Sequence, residues 1–402
     1  MPSQKNRSCQ QANRYVKSQL GHPQGWSISV KNPWAICVKS DIVASGQKHE
    51  SFIMRATISE SASHLFKTEF PQLSALVQKR LEVEWRYHRR SDVAGTVPQD
   101  LLGYSDDFGR MLKVAYRHSL LDALREEANW YATVFEARGS GHPVFAALLE
   151  SWIVVIQGVI KPPECNELSA PLQTLHQELP RMREQSRDYL RSRRAGPDSP
   201  LVTCLLRGDV QGARDIVFRL LSEGRSLERL IVDLILPAMA EVGLRWELHE
   251  VEIYQEHLAT EAVRALLSSI VPMKQPINLQ PSHAALVSCV PGDKHDLVPL
   301  ALWAYLEVRG WAAKNLGTSL PAHQIARAVA TLAPDAVFLV LTLLWQLDDA
   351  LEAVAMVREQ SGDCPILIGG RGAEAGRAVL ERAGAIVARD FDEACQILEG
   401  GS

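Results

Sequence analysis

The sequence predicts a multidomain protein of the α + α/β class, with an all-α domain, a four-helix bundle and a five-stranded, doubly wound parallel sheet. Three observations support this prediction. Between residues 60 and 190, apolar side chains recur three and four apart, which is the spacing of one helix face. Between 200 and 270, shorter helical stretches are separated by Gly208 and Gly224. From residue 282 onward, short apolar runs alternate with helical stretches, an order typical of parallel sheets.

The first half of the chain divides into an extension and a helical domain. Residues 1–55 show no sustained periodicity, so we expect a disordered N-terminal extension there. Residues 56–190 predict an all-α domain of about six helices, with Pro162–Pro163 as a stop between two of them. The charged segment 182–200 ends in Gly, Pro and Ser, and it therefore indicates a linker.

The second half predicts a helical bundle followed by the sheet. The bundle covers residues 198–272, with helices expected at about 200–206, 209–223, 226–247 and 251–270. The sheet domain covers residues 282–402, and its predicted strands are AALVSCV, WAAKNLG, AVFLVLT, PILIGG and AIVA. Because ligands bind beyond the carboxyl ends of the strands in such sheets, a site is expected in the loops that follow these runs.

Composition argues against several classes of protein. The formal net charge of −4 gives no electrostatic reason to expect DNA or a membrane surface as a partner. The 7 cysteines form no CxxC pair, which favours a reducing compartment over a disulfide framework or a thiolate zinc site. The first residues carry no signal-peptide hydrophobic stretch, and no apolar run reaches the length of a membrane span. We therefore expect a cytoplasmic protein.

Polar residues and glycines follow several predicted strands at the same edge of the sheet. His295 lies in the loop after the first strand, and Asp293 is placed to accept a hydrogen bond from one imidazole nitrogen and fix the tautomer of a metal-bound His. Thr342 ends the third strand and offers a hydroxyl there. The fourth strand ends in Gly369 and Gly370, which would let a ligand approach the backbone closely, and the second strand ends with Gly317 at the same edge. From the loop alone, a surface His beside two acids remains the alternative.

A second group of residues lies in the helical bundle. Trp246 precedes the turn near Glu250, whereas Glu256 and His257 follow it. In an antiparallel helix pair, positions equidistant from the turn face one another, so an indole, a carboxylate and an imidazole would share one patch. The alternative is a core Trp with a solvent-facing Glu–His pair.

The residues at the sheet edge resemble a known signature. The loop Asp293-Lys294-His295, with Thr342-Leu343-Leu344 and Gly369-Gly370, resembles the DxHxxG…SxL…GG pattern of corrinoid-binding domains. That family comprises methionine synthase, the methyltransferase corrinoid proteins and the cobalamin photoreceptors. The resemblance implies a flavodoxin-like sheet domain with a cobalt corrinoid at this edge.

The same resemblance implies a role for each matching residue. His295 would ligate cobalt from below, and Asp293 would be its hydrogen-bond partner. Thr342 would contact the displaced dimethylbenzimidazole tail, and the two glycines after the fourth strand would make room for it. The sequence departs from the pattern at Val298, where the signature has Gly, and at Thr342, where it has Ser.

The spacing Trp246-x9-Glu256-His257 resembles that of light-dependent cobalamin photoreceptors of the CarH type. There the Trp and Glu pack over the adenosyl group, and the adjacent His is implicated in cobalt ligation after photolysis. The resemblance implies that Trp246 and Glu256 hold the adenosyl group and that His257 is the upper ligand after light. Corrinoid methyltransfer proteins usually carry an aromatic residue and a Pro–Glu pair here, which favours a sensor for this chain.

These resemblances imply a light sensor that binds adenosylcobalamin in the His-on, base-off form. Photolysis of its cobalt–carbon bond would change domain packing and oligomeric state. No output catalytic domain is evident in the sequence, so we expect no enzyme, but a homo-oligomer with an unidentified downstream protein partner. Two alternatives stay open: a corrinoid protein carrying a methyl group for a methyltransferase system, and a cobalamin- or haem-dependent antirepressor acting by protein contacts.

The first half resembles photocobilins in architecture, because a large all-α domain precedes the cobalamin module. This resemblance implies biliverdin as a second chromophore and a globin-like helical domain. It disfavours DNA binding, since the first half is longer than a helix-turn-helix domain and shows no recognition pattern. Aromatic and basic side chains would form the bilin pocket, and the candidates are Trp85, Arg86, His88, Arg89, Arg117 and His118. The alternative is a helix whose aromatics enter the core and whose arginines are solvated.

Overall fold

The computed structural model describes residues 58–88, 99–139, 141–193, 199–274 and 281–400. The extension expected at residues 1–55 lies outside these ranges. Within them, no helix combines the length and the apolar character that crossing a bilayer requires.

The N-terminal part of the described chain is helical, which confirms the all-α prediction. Its helices are α1 (Glu60–His88), α2 (Gln99–His118), α3 (Leu121–Ala137), α4 (Gly141–Val159) and α5 (Glu164–Arg193). The periodicity predicts about six helices, and the described residues contain these five. Pro162–Pro163 separates α4 from α5 as expected, because proline has no N–H to continue a helical hydrogen-bond ladder.

The charged segment 182–200 is helical as far as Arg193, so the linker prediction is wrong for most of its length. Helix α5 continues through the segment because Met182 and Ser186, four residues apart, are both buried. The intervening charges form a solvated helix face. Charge density alone therefore did not distinguish a linker from an amphipathic helix.

Helices α1 and α2 run antiparallel. Phe66 of α1 meets Tyr116 of α2 edge-on with ring centroids 5.0 Å apart. Further along the pair, the Ser74 hydroxyl donates to Asp106 Oδ1 at 3.1 Å. The C-terminal end of α1 therefore lies beside the N-terminal end of α2 and far from the C-terminal end of α2.

Residues 199–274 contain the four helices predicted for the bundle, which is called the cap below. They are α6 (Pro200–Leu206), α7 (Val210–Ser222), a long helix in three parts, and α10 (Ile253–Lys274). The long helix comprises α8 (Leu227–Leu230), a π-helical turn (Ile231–Ile235) and α9 (Leu236–Glu247). Pro237 follows the π turn, and its missing N–H explains why the helix widens there.

The C-terminal domain is the predicted doubly wound sheet, with five parallel strands in the order β2-β1-β3-β4-β5. Its strands are β1 (Ala284–Cys289), β2 (Ala312–Asn315), β3 (Ala336–Val340), β4 (Ile366–Gly369) and β5 (Ile386–Val387). Its helices are α11 (Leu297–Val308), α12 (Ala322–Leu332), α13 (Leu347–Ser361), α14 (Arg371–Ala375), α15 (Arg377–Arg382) and α16 (Phe391–Glu399). The strand order reverses between β1 and β3, which leaves a crevice at the carboxyl edge.

The two faces of the sheet pack against different parts of the chain. The face with α12 and α13 shares a continuous apolar core with the N-terminal helices, to which the strands contribute Leu286 and Val337. The other face, with α11 and α16, shares a core with the cap, to which the strands contribute Val287 and Phe338. Adjacent strand residues thus point to opposite faces, as the pleat requires. The N-terminal helices and the cap therefore lie on opposite sides of the sheet.

Candidate functional site

A cavity of about 400 Å³ lies between the cap and the carboxyl edge of the sheet. The cap contributes side chains from the end of α9 and the first turns of α10, and the sheet domain contributes the loop after β1 and the end of β3. The wall residues include Trp246, Glu247, Glu256, His257, Arg264, Lys294, His295, Asp296, Val298 and Thr342. The structure thus brings the predicted bundle residues Trp246, Glu256 and His257 into one cavity with two of the predicted sheet-edge residues, His295 and Thr342.

The sheet side of the cavity is organised by a buried carboxylate. Asp293 is completely buried, and its Oδ1 lies 2.7 Å from His295 Nδ1 and 3.0 Å from the His295 backbone N–H that donates to it. Its Oδ2 accepts from the Thr342 backbone N–H at 2.8 Å. When Nδ1 carries the proton and donates it to Asp293, Nε2 is the imidazole nitrogen able to coordinate a metal.

The Asp293 carboxyl remains ionised in this setting. Burial alone would raise its pKa, but the hydrogen bond and charge of His295 and the backbone donors of His295 and Thr342 outweigh burial and hold the pKa below its ordinary value. An ionised carboxylate behind an imidazole raises the basicity of the other ring nitrogen. The pair is therefore suited to hold one metal ligand in a fixed tautomer.

Thr342 places a hydroxyl at the cavity without giving it a partner. The residue is only 2% exposed, and its Oγ1 has no hydrogen-bond partner among the residues that the structure describes. A buried hydroxyl without a partner costs free energy, so it is expected to meet a polar group of a ligand.

The cap side of the cavity presents a flat indole and a held carboxylate. Trp246 stands in the last turn of α9, and Glu256 in the first turn of α10. The Thr260 hydroxyl donates to Glu256 Oε1 at 2.9 Å, while Glu256 Oε2 lies 2.8 Å from His257 Nδ1. The His257 side chain is 72% exposed at the mouth of the cavity. With Nδ1 engaged by Glu256, Nε2 is the His257 nitrogen able to bind a ligand.

Several wall residues were missed by sequence reasoning. Arg264 Nη2 donates to Asp296 Oδ2 at 2.7 Å and so joins the cap to the sheet domain beside the cavity. Arg264 lies seven residues after His257 and therefore on the same face of α10, so this spacing could have identified it as a wall residue. Glu247 had no such signal, because its burial depends on a contact with the N-terminal helices. Val298, where the corrinoid pattern has Gly, contributes a buried side chain to the wall.

The remaining candidates of the sheet domain do not line the cavity. Gly317 follows β2, and Leu344 is buried at the start of the 3-10 turn after β3. Gly369 ends β4 and Gly370 follows it with φ 113°. A Cβ built at Gly370 would lie 2.4 Å from the Leu341 carbonyl oxygen, so the close packing of two chain segments requires glycine there.

Three of the six candidate bilin residues are described by the structure, and they do not lie together. Arg89 and the side chains of Arg86 and His88 lie outside what the structure describes, and Trp85 packs partly buried at the end of α1. The other two candidates stand at the opposite end of the antiparallel pair, about 30 Å along the helices at 1.5 Å per residue. There His118 Nε2 and Arg117 Nη1 contact the Asp348 carboxylate of the sheet domain at 2.7 and 2.9 Å. Among the described candidates, Trp85 therefore does not share a site with Arg117 and His118.

The residues present fit a cobalt corrinoid. The corrin ring would itself bind the cobalt through several nitrogens, so the protein would need to supply only one further nitrogen ligand. The His295–Asp293 pair can supply it from the sheet domain, and the unpartnered hydroxyl of Thr342 offers a hydrogen bond beside it.

Comparison with protein families agrees with this geometry. Residues 199–270 and residues 284–399 each match a family model described as B12 binding domain. The first match covers the cap, and the second covers the sheet domain. The second half of the chain is therefore a cobalamin-binding module.

Two similar proteins come from Myxococcus xanthus. The HTH-type transcriptional repressor CarH is 29% identical over 151 residues, which are 37% of this chain and 50% of CarH. The HTH-type transcriptional repressor CarA is 28% identical over 189 residues, which are 44% of this chain and 61% of CarA. The chain thus spans only about half to three fifths of the length of these relatives.

Among solved structures, a monomethylamine corrinoid protein from Methanosarcina barkeri covers 50% of this chain and 96% of its own length, with 19% identity and a TM-score of 0.42. A cobalamin-binding protein from Desulfitobacterium hafniense DCB-2 covers the same shares with 21% identity and a TM-score of 0.30.

Proposed function

We propose that this cobalamin-binding protein is a light sensor that holds adenosylcobalamin between the cap and the sheet domain. One observation carries the proposal. The indole and carboxylate of the cap, Trp246 and Glu256, line the same cavity as His295 of the sheet domain. A corrinoid in this cavity would meet a metal ligand on one side and a surface suited to a nucleoside on the other.

Each wall has a defined part in this proposal. His295 would bind cobalt through Nε2 in the His-on, base-off form, with Asp293 holding the ring in the required tautomer. The Trp246 indole would offer a flat apolar surface to the adenine, and Glu256, held by Thr260, would accept hydrogen bonds from ribose hydroxyls. When bound, adenosylcobalamin supplies a cobalt–carbon bond that visible light cleaves.

The arrangement of the cap suits a sensor because its polar tie to the sheet domain at the cavity is weak. The Arg264 and Asp296 side chains are 35% and 34% exposed, and partly exposed ion pairs contribute only about 0–1 kcal/mol. Removing a nucleoside packed between the walls would therefore change the balance between closed and open arrangements of the cap. His257, at the mouth of the cavity, would be the residue that approaches cobalt from the cap side after light.

The output of the proposed sensor is self-association or contact with a partner protein. The matched relatives are transcriptional repressors, but the match leaves a large part of their length uncovered, so DNA binding is not carried over to this chain. Biliverdin as a second chromophore remains a prediction of the photocobilin resemblance.

The proposal is tested by spectroscopy of protein purified in the dark. The protein is loaded with adenosylcobalamin, with and without biliverdin, and its absorbance and molar mass are measured before and after green light. We expect a lasting spectral change and a changed molar mass. An unchanged spectrum, or a change no faster than that of free adenosylcobalamin with constant mass, would contradict a sensor. A stable methylcobalamin form that gives up its methyl group only to a partner methyltransferase would favour the carrier alternative.

The ligand assignment has its own variant and control. His295→Ala should abolish the spectrum of His-ligated cobalt in the dark, because the variant removes the proposed axial ligand. His323→Ala changes an exposed histidine on α12 outside the cavity wall, and should leave that spectrum unchanged. A wild-type spectrum in loaded His295→Ala would refute the assignment.

A further inference from the structure

Helix α3 of the N-terminal domain contacts both the sheet domain and the cap. Its Glu127 accepts from Arg371 Nη2 at 3.1 Å, at the start of α14 in the sheet domain. Three residues later, the Trp130 indole N–H donates to Glu247 Oε2 at 2.9 Å, at the end of α9 in the cap. Since three residues advance a helix by about 4.5 Å, one rigid segment contacts the sheet domain and the cap side by side.

Glu247 connects this contact to the cavity itself. It follows Trp246 directly and belongs to the cavity wall, yet it is only 4% exposed because the N-terminal helices cover it. Arg138, just after α3, also donates from Nε to the Glu247 carbonyl oxygen at 3.4 Å. Any displacement of the end of α9 therefore changes the hydrogen bonds of Glu247 to the N-terminal domain.

The donor is held in place by the aromatic core around it. The Trp130 ring packs against Tyr131 with centroids 4.8 Å apart and against Tyr104 at 6.2 Å, both near perpendicular. Such contacts restrict the ring to one orientation. If Glu247 moves, the Trp130 indole cannot follow it. The Trp130–Glu247 hydrogen bond therefore forms in one position of α9 and is lost in others.

The contact of the N-terminal domain with the cap is much smaller than its contact with the sheet. Towards the sheet, the domain shares one continuous apolar core. Towards α9, the apolar contact is a small cluster of Ala240, Leu244 and Leu248 with Ala137, Tyr189 and Leu190. Because apolar stabilisation scales with buried area, this apolar contact resists separation less than the core shared with the sheet does.

We propose that the Trp130–Glu247 hydrogen bond is a latch through which the N-terminal helical domain senses the state of the cofactor cavity. A filled cavity fixes α9 and closes the latch; displacement of α9 opens it and frees α3. A buried hydrogen bond to a charged group shifts such an equilibrium by roughly ten- to a hundredfold. The inference rests on the proposed function in taking the cavity as the corrinoid site, but it does not depend on light.

Hydrogen–deuterium exchange of the full chain tests the latch. Exchange is compared with and without adenosylcobalamin in the dark, for amides of residues 290–298 and 252–262 at the cavity and of residues 121–137 in α3. In the wild-type protein, we expect cobalamin to slow exchange at the cavity and, about tenfold, in α3. In Trp130→Phe, the cavity should still be protected while the protection of α3 is lost.

Two further variants control for simple loss of stability. Trp152→Phe makes the same change of ring in the same domain, but the Trp152 indole N–H has no hydrogen-bond partner among the described residues, so transmission to α3 should persist. Glu247→Gln keeps an oxygen acceptor but loses the charge, and should retain part of the protection. The latch would be refuted if cobalamin did not change amide exchange in α3 of the wild-type protein, or if it slowed that exchange equally in Trp130→Phe. Either result would leave the cavity assignment intact.

The remaining outcomes separate the latch from the proposed function. Absence of protection at both the cavity and α3 would overturn the two proposals together. With adenosylcobalamin, green light should release α3 in the wild-type protein. If α3 stays protected under light while the variants behave as expected in the dark, the light-sensor proposal fails and the latch stands.

Discussion

Replacing Thr342 by Val should make the protein more stable without cobalamin and should weaken its binding of cobalamin. Valine has nearly the shape of threonine, so the substitution removes the hydroxyl with little change in packing. In the wild-type protein, that hydroxyl is buried without a partner among the described residues. Higher stability together with weaker cobalamin binding would indicate that the Thr342 hydroxyl serves the ligand, whereas lower stability would indicate that it serves the fold.

Both magnitudes follow from the burial of this hydroxyl. An unpaired buried hydroxyl costs about 1–3 kcal/mol, so we expect Thr342→Val to raise the free energy of unfolding of the cobalamin-free protein by about 1 kcal/mol. A hydrogen bond to the cofactor contributes about 0.5–1.5 kcal/mol, so its loss should weaken cobalamin binding roughly two- to tenfold.

Urea unfolding of the cobalamin-free protein and a cobalamin titration followed by absorbance measure the two effects. Thr133→Val is a matched control, because Thr133 is 1% exposed but its Oγ1 lies 2.9 Å from Ser186 Oγ and 3.0 Å from the Asn129 carbonyl oxygen. The control should lower the unfolding free energy by about 1–2 kcal/mol and leave binding unchanged. A Thr342→Val protein that is destabilised and binds cobalamin as tightly as the wild type would refute the reasoning.

Two further predictions concern Asp348 and Gly370 of the sheet domain. Burial alone would raise the pKa of the Asp348 carboxyl, but the hydrogen bond of His118 and the charge of Arg117 hold this pKa below its ordinary value. The ionised carboxylate therefore stabilises the folded protein fully above the unfolded pKa of about 3.9, and this stabilisation is lost as the pH falls through the folded pKa. Asp348→Asn should therefore lower stability at neutral pH and flatten its acid dependence in urea titrations from pH 7 downward; an unchanged acid limb would contradict this assignment. Gly370→Ala should lower the free energy of unfolding by about 2–4 kcal/mol, because it places a Cβ against a carbonyl oxygen at a residue with positive φ. Gly158→Ala is the control: Gly158 lies in a helix with open space around it, so this variant should be neutral or stabilising. Equal unfolding free energies for the two alanine variants would count against that account.

The sequence predicts the second half of the fold in detail because its signals are local. Each strand is a short apolar run, and each cap helix is bounded by Gly or by a turn, so periodicity alone locates them. The boundary at 182–200 was wrong because helix α5 is held there by the burial of Met182 and Ser186. That burial depends on neighbouring helices, which a local pattern does not report.

The same distinction explains which site residues were found. His295 and Asp293 are two residues apart, and Trp246, Glu256 and His257 flank one turn, so spacing was enough to propose them. Glu247 could not be proposed in this way. Its role depends on Trp130, which lies 117 residues earlier in the chain and reaches it only after the N-terminal helices have packed on the sheet.

The nitrogen atom that binds cobalt can be identified directly by electron paramagnetic resonance. Protein labelled with ¹⁵N at its histidines is loaded with cob(II)alamin, and the nitrogen splitting of the cobalt signal is recorded. The proposed site predicts a doublet, because the axial nitrogen would belong to His295, and the doublet should disappear in His295→Ala. A triplet unchanged by the labelling would show that the dimethylbenzimidazole nitrogen of the cofactor is still bound, and would contradict the proposed site.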